Sequence, residues 1–209
     1  MTTEKTRIAV FVSGGGTNLQ ALIDAQSAGK IPDGEIVLVV SSNPEAYALT
    51  RAARAQIPTV TISKHECGSQ GAFEAHIMKT LVETHVELIV LAGFMSILSE
   101  SFTSVFPRRI INVHPSLIPS FCGKGFYGLR VHQAALDYGV KVTGATVHFV
   151  NEIPDGGEII LQKAVDVLPD DTPETLQRRV MEEAEWQLLP RAVQMISADI
   201  RKEKENQTT

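Results

Sequence analysis

Two cysteines, Cys67 and Cys122, are all the thiols the chain has. They stand far apart and form no Cys-x-x-Cys pair, a pattern that argues against a disulfide framework and against a zinc knuckle. Long apolar runs are missing too. Ile36 to Val40 and Leu88 to Ala92 fall far short of the roughly 20 residues that a bilayer-spanning helix needs. Met1 to Arg7 is polar and shows neither the apolar region of a secretion signal nor an amphipathic transit peptide, so a cytoplasmic protein is expected. Positive charge is also in short supply. The 19 Lys and Arg face 24 Asp and Glu, a net charge of −5, so composition suggests no broad electropositive surface for nucleic acid and any phosphate must be held locally. The adjacent pairs Arg108-Arg109 and Arg178-Arg179 read as solvated element ends.

What the 209 residues do contain is enough apolar material, 44%, for one substantial core. A single domain over residues 1–200 is expected, with the polar stretch 201–209 fraying because it has no apolar stripe. Strand-like runs alternate with segments of helical period: Ile8 to Val12 then Leu19 to Ala28, Ile36 to Val40 then Ala46 to Gln56, Thr59 to Ile62 then Phe73 to Thr84. Leu88 to Ala92, a short helix over Ser99 to Phe106, and Ile110 to Val113 continue the rhythm. This is the pattern of an α/β fold with a mostly parallel sheet and helices on both faces. The strands are nearly continuous Val, Ile and Leu, as required when both faces of a sheet are covered. Ala145 to Val150 and Ile159 to Val165 extend the same sheet. Asp171-Thr172 before Pro173 marks a helix start, and Pro190 is expected to kink or restart that helix.

Parallel sheets bind ligands at the carboxyl ends of their strands. Ser13-Gly14-Gly15-Gly16-Thr17-Asn18 follows the first strand and opens a helix, where backbone amides and the helix dipole can hold an anion. Leu19 stands where a dinucleotide fingerprint has its third glycine, Ser41-Ser42-Asn43 lacks the ribose-binding carboxylate, and no Walker lysine is present. The bland alternative is a tight turn in which Thr17 or Asn18 merely caps the helix.

A second set of polar residues lies at the same edge. Asn112 and His114, two apart at the end of Ile110 to Val113, project from one side of that strand. Asp155, on the Ile153-Pro154-Asp155-Gly156-Gly157 loop, can reach the same place. The trio suits acyl transfer between nitrogens, in which an amine attacks a formyl carbon and a tetrahedral oxyanion needs hydrogen-bond donors. Asn112 and protonated His114 would donate, and Asp155 would raise the His114 pKa and keep the ring positive. The competing reading is a buried His-Pro turn and an ordinary Asp-Gly-Gly surface turn. Of the other histidines, His65, His76, His85 and His132 lack ligand spacing, and His148 differs only in preceding the Asp155 loop. Ser13 and Ser116 have no evident base, which argues against a serine hydrolase.

Four blocks in order carry a family likeness: Ser13 to Gln20, Leu91 to Leu98, Asn112 to Pro119, and Thr143 to Val150 with Asp155 to Gly157. In these the chain resembles the glycinamide ribonucleotide formyltransferase family from about Arg7 to Arg191. The resemblance implies a Rossmann-like formyltransferase fold and formyl transfer from 10-formyltetrahydrofolate, a co-substrate, to phosphoribosylglycinamide, without a metal. It implies that Gly16, Thr17 and Asn18 hold the substrate phosphate, that Glu185 contacts its ribose, and that Asn112, His114 and Asp155 act in transfer. For Glu185 the alternative is a solvated helix carboxylate. Met95, Ser96, Ile97 and Leu98 with Asn151 to Asp155, and Asn112, would line the folate site, with Gln70 standing where the family usually has an arginine. Ser96 replaces an arginine of some relatives, and Cys122 with Gly123 to Arg130 departs from the usual Pro-Gly, the thiol reading as packing. Small-molecule partners and a monomer or homodimer follow. Rival readings are a formyltetrahydrofolate hydrolase, a methionyl-tRNA formyltransferase, or a non-catalytic phosphometabolite binder using only the glycine loop; the first two are expected to carry an additional domain.

Overall fold

The computed structural model describes residues 4–207. In its first half strands alternate with helices: β1 Thr6–Val12, α1 Thr17–Ser27, β2 Gly34–Ser41, α2 Tyr47–Arg54, β3 Thr59–Thr61, α3 Lys64–Cys67, α4 Gln70–Glu83, β4 Leu88–Leu91 and α5 Glu100–Thr103. β5 Ile110–His114, α6 Leu129–Tyr138, β6 Val142–Phe149, β7 Ile159–Asp166 and α7 Pro173–Val180 follow. A π-helical turn, Met181–Glu185, then runs into α8 Trp186–Gln207. The strands form one sheet in the order β3-β2-β1-β4-β5-β6-β7. The first five are parallel, and β6 and β7 add antiparallel beside β5.

β1 shows why the sheet sits between two helical layers. Ile8, Val10 and Val12 join the core built with Leu19 and Leu22 of α1 and Leu189 and Val193 of α8. Ala9 and Phe11 face the other way, into the core made with Phe73, Ile77 and Leu81 of α4. All five β1 side chains are fully buried, so the period-two alternation of a strand feeds two apolar layers at once. Strand order reverses between β1 and β4, which opens a crevice at their carboxyl ends. Across that crevice the Met95 amide donates to Ser13 Oγ at 2.9 Å.

Cap chemistry fixes several helix starts. Ser69 and Ser99 accept from the Ala72 and Phe102 amides, and Thr172 forms a reciprocal capping box with Thr175 ahead of α7. Three expectations need correction. Arg179 is no solvated end: its guanidinium forks onto Asp171, with both contacts at 2.6 Å. Pro190 does not restart a helix but lies buried inside α8. The irregularity comes earlier, in the π turn, which shifts the hydrogen-bond register just upstream of a residue that has no N–H to give. The tail is also helical through Gln207, because Arg109 pairs with Glu203, Arg201 with Asp33, and Lys204 with Glu87 at 2.7 Å.

Candidate active site

The end of α1 nearest the crevice has open amides. Its N-cap is Gly16, which has no side chain to cap with, and its φ of 71° lies in the left-handed region. A β-carbon there would come within 2.6 Å of the Ala48 Cβ, so glycine is required by space as well as by backbone. Neither Thr17 nor Asn18 caps the helix. Thr17 Oγ1 donates to the Met181 sulfur at 3.7 Å, and Asn18 Nδ2 donates to Glu185 Oε2 at 2.5 Å. Glu185 is therefore no solvated carboxylate. It is 6% exposed, and burial raises its pKa to about 7 against the lowering effect of the Asn18 bond. Arg51, which no sequence pattern singles out, donates from Nε to the Gly15 carbonyl at 2.8 Å and so braces the loop from α2.

Across the crevice β5 and β6 pair so that Asn112 lies opposite His148 and His114 opposite Thr146. The chain leaves β6 at Phe149 and folds back in a tight turn that carries Asp155. A β-carbon on Gly157 would sit 1.8 Å from the Phe149 carbonyl oxygen, so that turn closes only on glycine. Asp155 itself has φ 56°, a left-handed value that few residues with side chains adopt. The turn returns its carboxylate to the strand ends. Oδ2 lies 3.5 Å from His114 Nδ1 and accepts from the Gly123 amide at 2.8 Å. Oδ1 lies 3.6 Å from His148 Nε2 and 3.5 Å from Asn112 Nδ2.

The three residues selected from the sequence thus converge, and His148 joins them as a fourth. Sequence spacing could not find it, because its place depends on the β5–β6 register. Burial pushes the Asp155 carboxyl up, but the His148 contact, the His114 ring and the Gly123 amide outweigh it and leave its pKa below the usual value. For His114 the balance falls the other way: Asp155 raises its pKa, as expected, but the net shift is downward. Burial lowers its pKa more than Asp155 and the Phe121 carbonyl raise it. His114 Nε2 donates to that carbonyl at 2.9 Å, and Nδ1 faces Asp155 Oδ2. Cys122 sits between these two anchors. Burial and Asp155 raise its pKa, so its thiol is a poor nucleophile.

A cavity of about 130 Å³ opens beside this group, and Ser96, Ile97, Leu98, Asn112, His148, Asn151 and Asp155 are among its lining residues. Two other residues expected at this site do not reach the cavity wall. Gln70 braces from behind, donating to Glu74 at 2.6 Å and to the Ile97 carbonyl at 3.0 Å, and Met95 is over half exposed. His114 stands behind Asp155 and does not line the cavity either. A larger groove of about 770 Å³ runs along α1 and α8 from Thr17 and Arg51 to Lys30, but none of the four converging residues borders it. Ser13 Oγ meets Ser42 Oγ at 2.6 Å and Ser116 Oγ donates to the Ser120 carbonyl, so neither has a histidine base. Among the described residues, no group of three His, Cys, Asp or Glu side chains could hold a metal ion.

Residues 6–193 match the formyl transferase family model. The chain belongs to the formyl transferase family. A phosphoribosylglycinamide formyltransferase of Haemophilus influenzae is 40% identical, over 96% of this chain and 91% of that relative. The trifunctional purine biosynthetic protein adenosine-3 of Gallus gallus is 46% identical over 94% of this chain, which spans only 19% of that longer protein. Among solved structures, glycinamide ribonucleotide transformylase 1 of Symbiobacterium toebii superposes with a TM-score of 0.87 at 39% identity, covering 95% of this chain and 94% of its own. The Symbiobacterium protein shares the fold described above, and the family likeness read from the four sequence blocks holds for this formyl transferase across nearly its whole length.

Proposed function

We propose that the chain transfers the formyl group of 10-formyltetrahydrofolate to the amine of 5'-phosphoribosylglycinamide, as a step of purine synthesis. The observation that carries this reading is the meeting of Asp155, Asn112 and the His114–His148 pair beside a cavity at the strand ends, across the crevice from a helix start with open amides. Full-length similarity to phosphoribosylglycinamide formyltransferases supports the choice of substrate.

In this reading the phosphate rests on the amides of Gly16, Thr17 and Asn18, and Glu185 accepts from a ribose hydroxyl. The folate lies along Ser96 to Leu98 and Asn151 to Asp155. The amine attacks the formyl carbon directly, forming a C–N bond and a tetrahedral oxyanion. Asp155 takes the proton that the nitrogen then sheds, with His114 beside it, and returns that proton to N10 as the C–N10 bond breaks. Addition and collapse between two nitrogens need only acid, base and oxyanion donors, so no metal is assigned to the step.

Residues 1–200 act as one unit in this proposal, in the cytoplasm, as a monomer or homodimer with small-molecule partners and no nucleic acid. The test is turnover of 10-formyltetrahydrofolate by the purified chain with and without phosphoribosylglycinamide. Formylated ribonucleotide and tetrahydrofolate appearing together, only when the acceptor is present, is the expected result. Formate release without acceptor would mean a hydrolase, and tight binding of the ribonucleotide without transfer would mean a phosphometabolite binder.

A further inference from the structure

The two hydrogen bonds of His148, with the contacts of Asn112 and Asp155 beside it, contain more chemistry than the proposed trio uses. The ring is 2% exposed, and its Nδ1 lies 2.7 Å from the Phe149 carbonyl oxygen. A carbonyl can only accept, so Nδ1 carries the hydrogen, and in a neutral ring Nε2 is then a bare lone pair. That lone pair lies 3.1 Å from Asn112 Nδ2, so the amide nitrogen donates to it. The second Nδ2 hydrogen faces Asp155 Oδ1 at 3.5 Å. Both N–H bonds of Asn112 therefore point toward His148 and Asp155, and its carbonyl oxygen is the end left for anything else. That is the wrong polarity for an oxyanion, which needs a donor.

A proton on His148 Nε2 reverses the arrangement. The ring would then present two donors, one on the Phe149 carbonyl and one on Asn112. Asn112 could meet the second only by turning its amide over, so that Oδ1 accepts and the NH2 group faces the cavity. We propose that His148 is a positioning residue whose protonation state decides which end of the Asn112 carboxamide faces the reacting carbon. The inference rests on the formyl-transfer reading above.

The proton balance closes within the site. As the C–N bond forms, the attacking nitrogen gives its proton to Asp155, whose Oδ1 is 3.6 Å from His148 Nε2. The proton passes to Nε2, Asn112 turns, and its NH2 group meets the oxygen that has taken the negative charge. When the C–N10 bond breaks, the proton returns through Asp155 to N10 and Asn112 turns back. No proton is gained or lost overall. The charged groups that face the ring are Asp155 and, beyond it, His114. Arg108 lies over the neighbouring Phe149 ring at 4.3 Å and is paired with Glu158.

The proposal has one readout that needs no turnover. Nitrogen NMR of the free protein distinguishes a protonated from a bare ring nitrogen, and His148 is expected to carry hydrogen on Nδ1 and a lone pair on Nε2. A ring protonated on Nε2 alone would overturn the proposal, whatever the substrate proves to be. The second readout is a double-mutant cycle on kcat for formyl transfer. Loss of one oxyanion donor costs about 10²–10³-fold, so His148→Gln alone is expected to lower kcat by about a hundred-fold with little change in either KM. In an Asn112→Ser background the same substitution is expected to change kcat by no more than about two-fold, because residues acting as a unit are non-additive. Losses that simply multiply would mean that His148 only supports the fold, and would also overturn the proposal. A wild-type chain with no formyl transfer at all would fail the functional reading and leave the tautomer result standing.

Discussion

The two sides of the crevice are built by different rules. On the β1 side, parallel strands put the ligand-facing groups on backbone: open amides behind Gly16, with Arg51 bracing a carbonyl and Asn18 tied to Glu185. On the β5–β6 side, antiparallel pairing and a glycine-closed turn bring His114, His148 and Asn112 each within hydrogen-bonding or ion-pairing range of Asp155. The first arrangement suits holding an anion and the second suits moving a proton. Substitutions on the antiparallel side should therefore act on kcat, and those on the parallel side on the KM of the amine substrate.

The largest effect is expected from His114→Gln, which removes an acid–base group and should lower kcat by about 10²–10⁴-fold, with thermal stability much less affected. Steady-state kinetics beside a melting curve would check it, and a loss confined to KM would erase the distinction between the two sides. Next comes Glu185→Gln, expected to raise the KM for the ribonucleotide by about 10–100-fold, the worth of a hydrogen bond to a charged group, while the folate KM stays the same. Its stability effect has the opposite sign at high pH. The Glu185 pKa is raised from 4.5 to about 7, so its contribution is fully present below pH 4.5 and is lost as pH rises through 7. The glutamine variant should therefore lose less stability than the parent as pH rises from 4.5 through 7.

The legibility of the two sides differs for the same structural reason. The β1 side was readable because a continuous apolar strand, three glycines and a helical segment are consecutive in the chain, and local chemistry dictates local structure. Asn112 and His114 were readable from the period of one strand. His148 was not, since only the cross-strand register sets it opposite Asn112. For His114 the sequence supplies the neighbour that raises its pKa, Asp155, but not the depth of burial that outweighs it. Gln70 was placed at the folate site, yet its amide turns inward to Glu74 and the Ile97 carbonyl. The tail looked unsupported because its partners, Asp33, Glu87 and Arg109, lie far back in the chain.

A smaller effect concerns α6, just beyond the antiparallel side. His132 is 1% exposed, neither ring nitrogen has a partner among the described residues, and burial with the nearby His114 lowers its pKa from 6.5 to about 4. The unfolded chain binds this proton more tightly, so stability is present above pH 6.5 and falls away between 6.5 and 4, by about 3 kcal/mol. Denaturant melts of His132→Leu should show a flatter acid limb than the parent; an unchanged limb would place the acid sensitivity elsewhere. The smallest effect is expected from removing residues 201–209. That loses ion pairs worth about 1–2 kcal/mol together, roughly 2–8 °C in Tm, without changing kcat.

The most direct test of the whole account is a single turnover by Asp155→Asn with formyl-folate and ribonucleotide both saturating. If Asp155 takes the amine proton, both ligands bind as they do to the parent chain and formyl transfer slows by about a hundred-fold or more. Transfer at the parent rate would contradict the assignment, because the carboxylate that joins both histidines to Asn112 would then have no part in the chemistry.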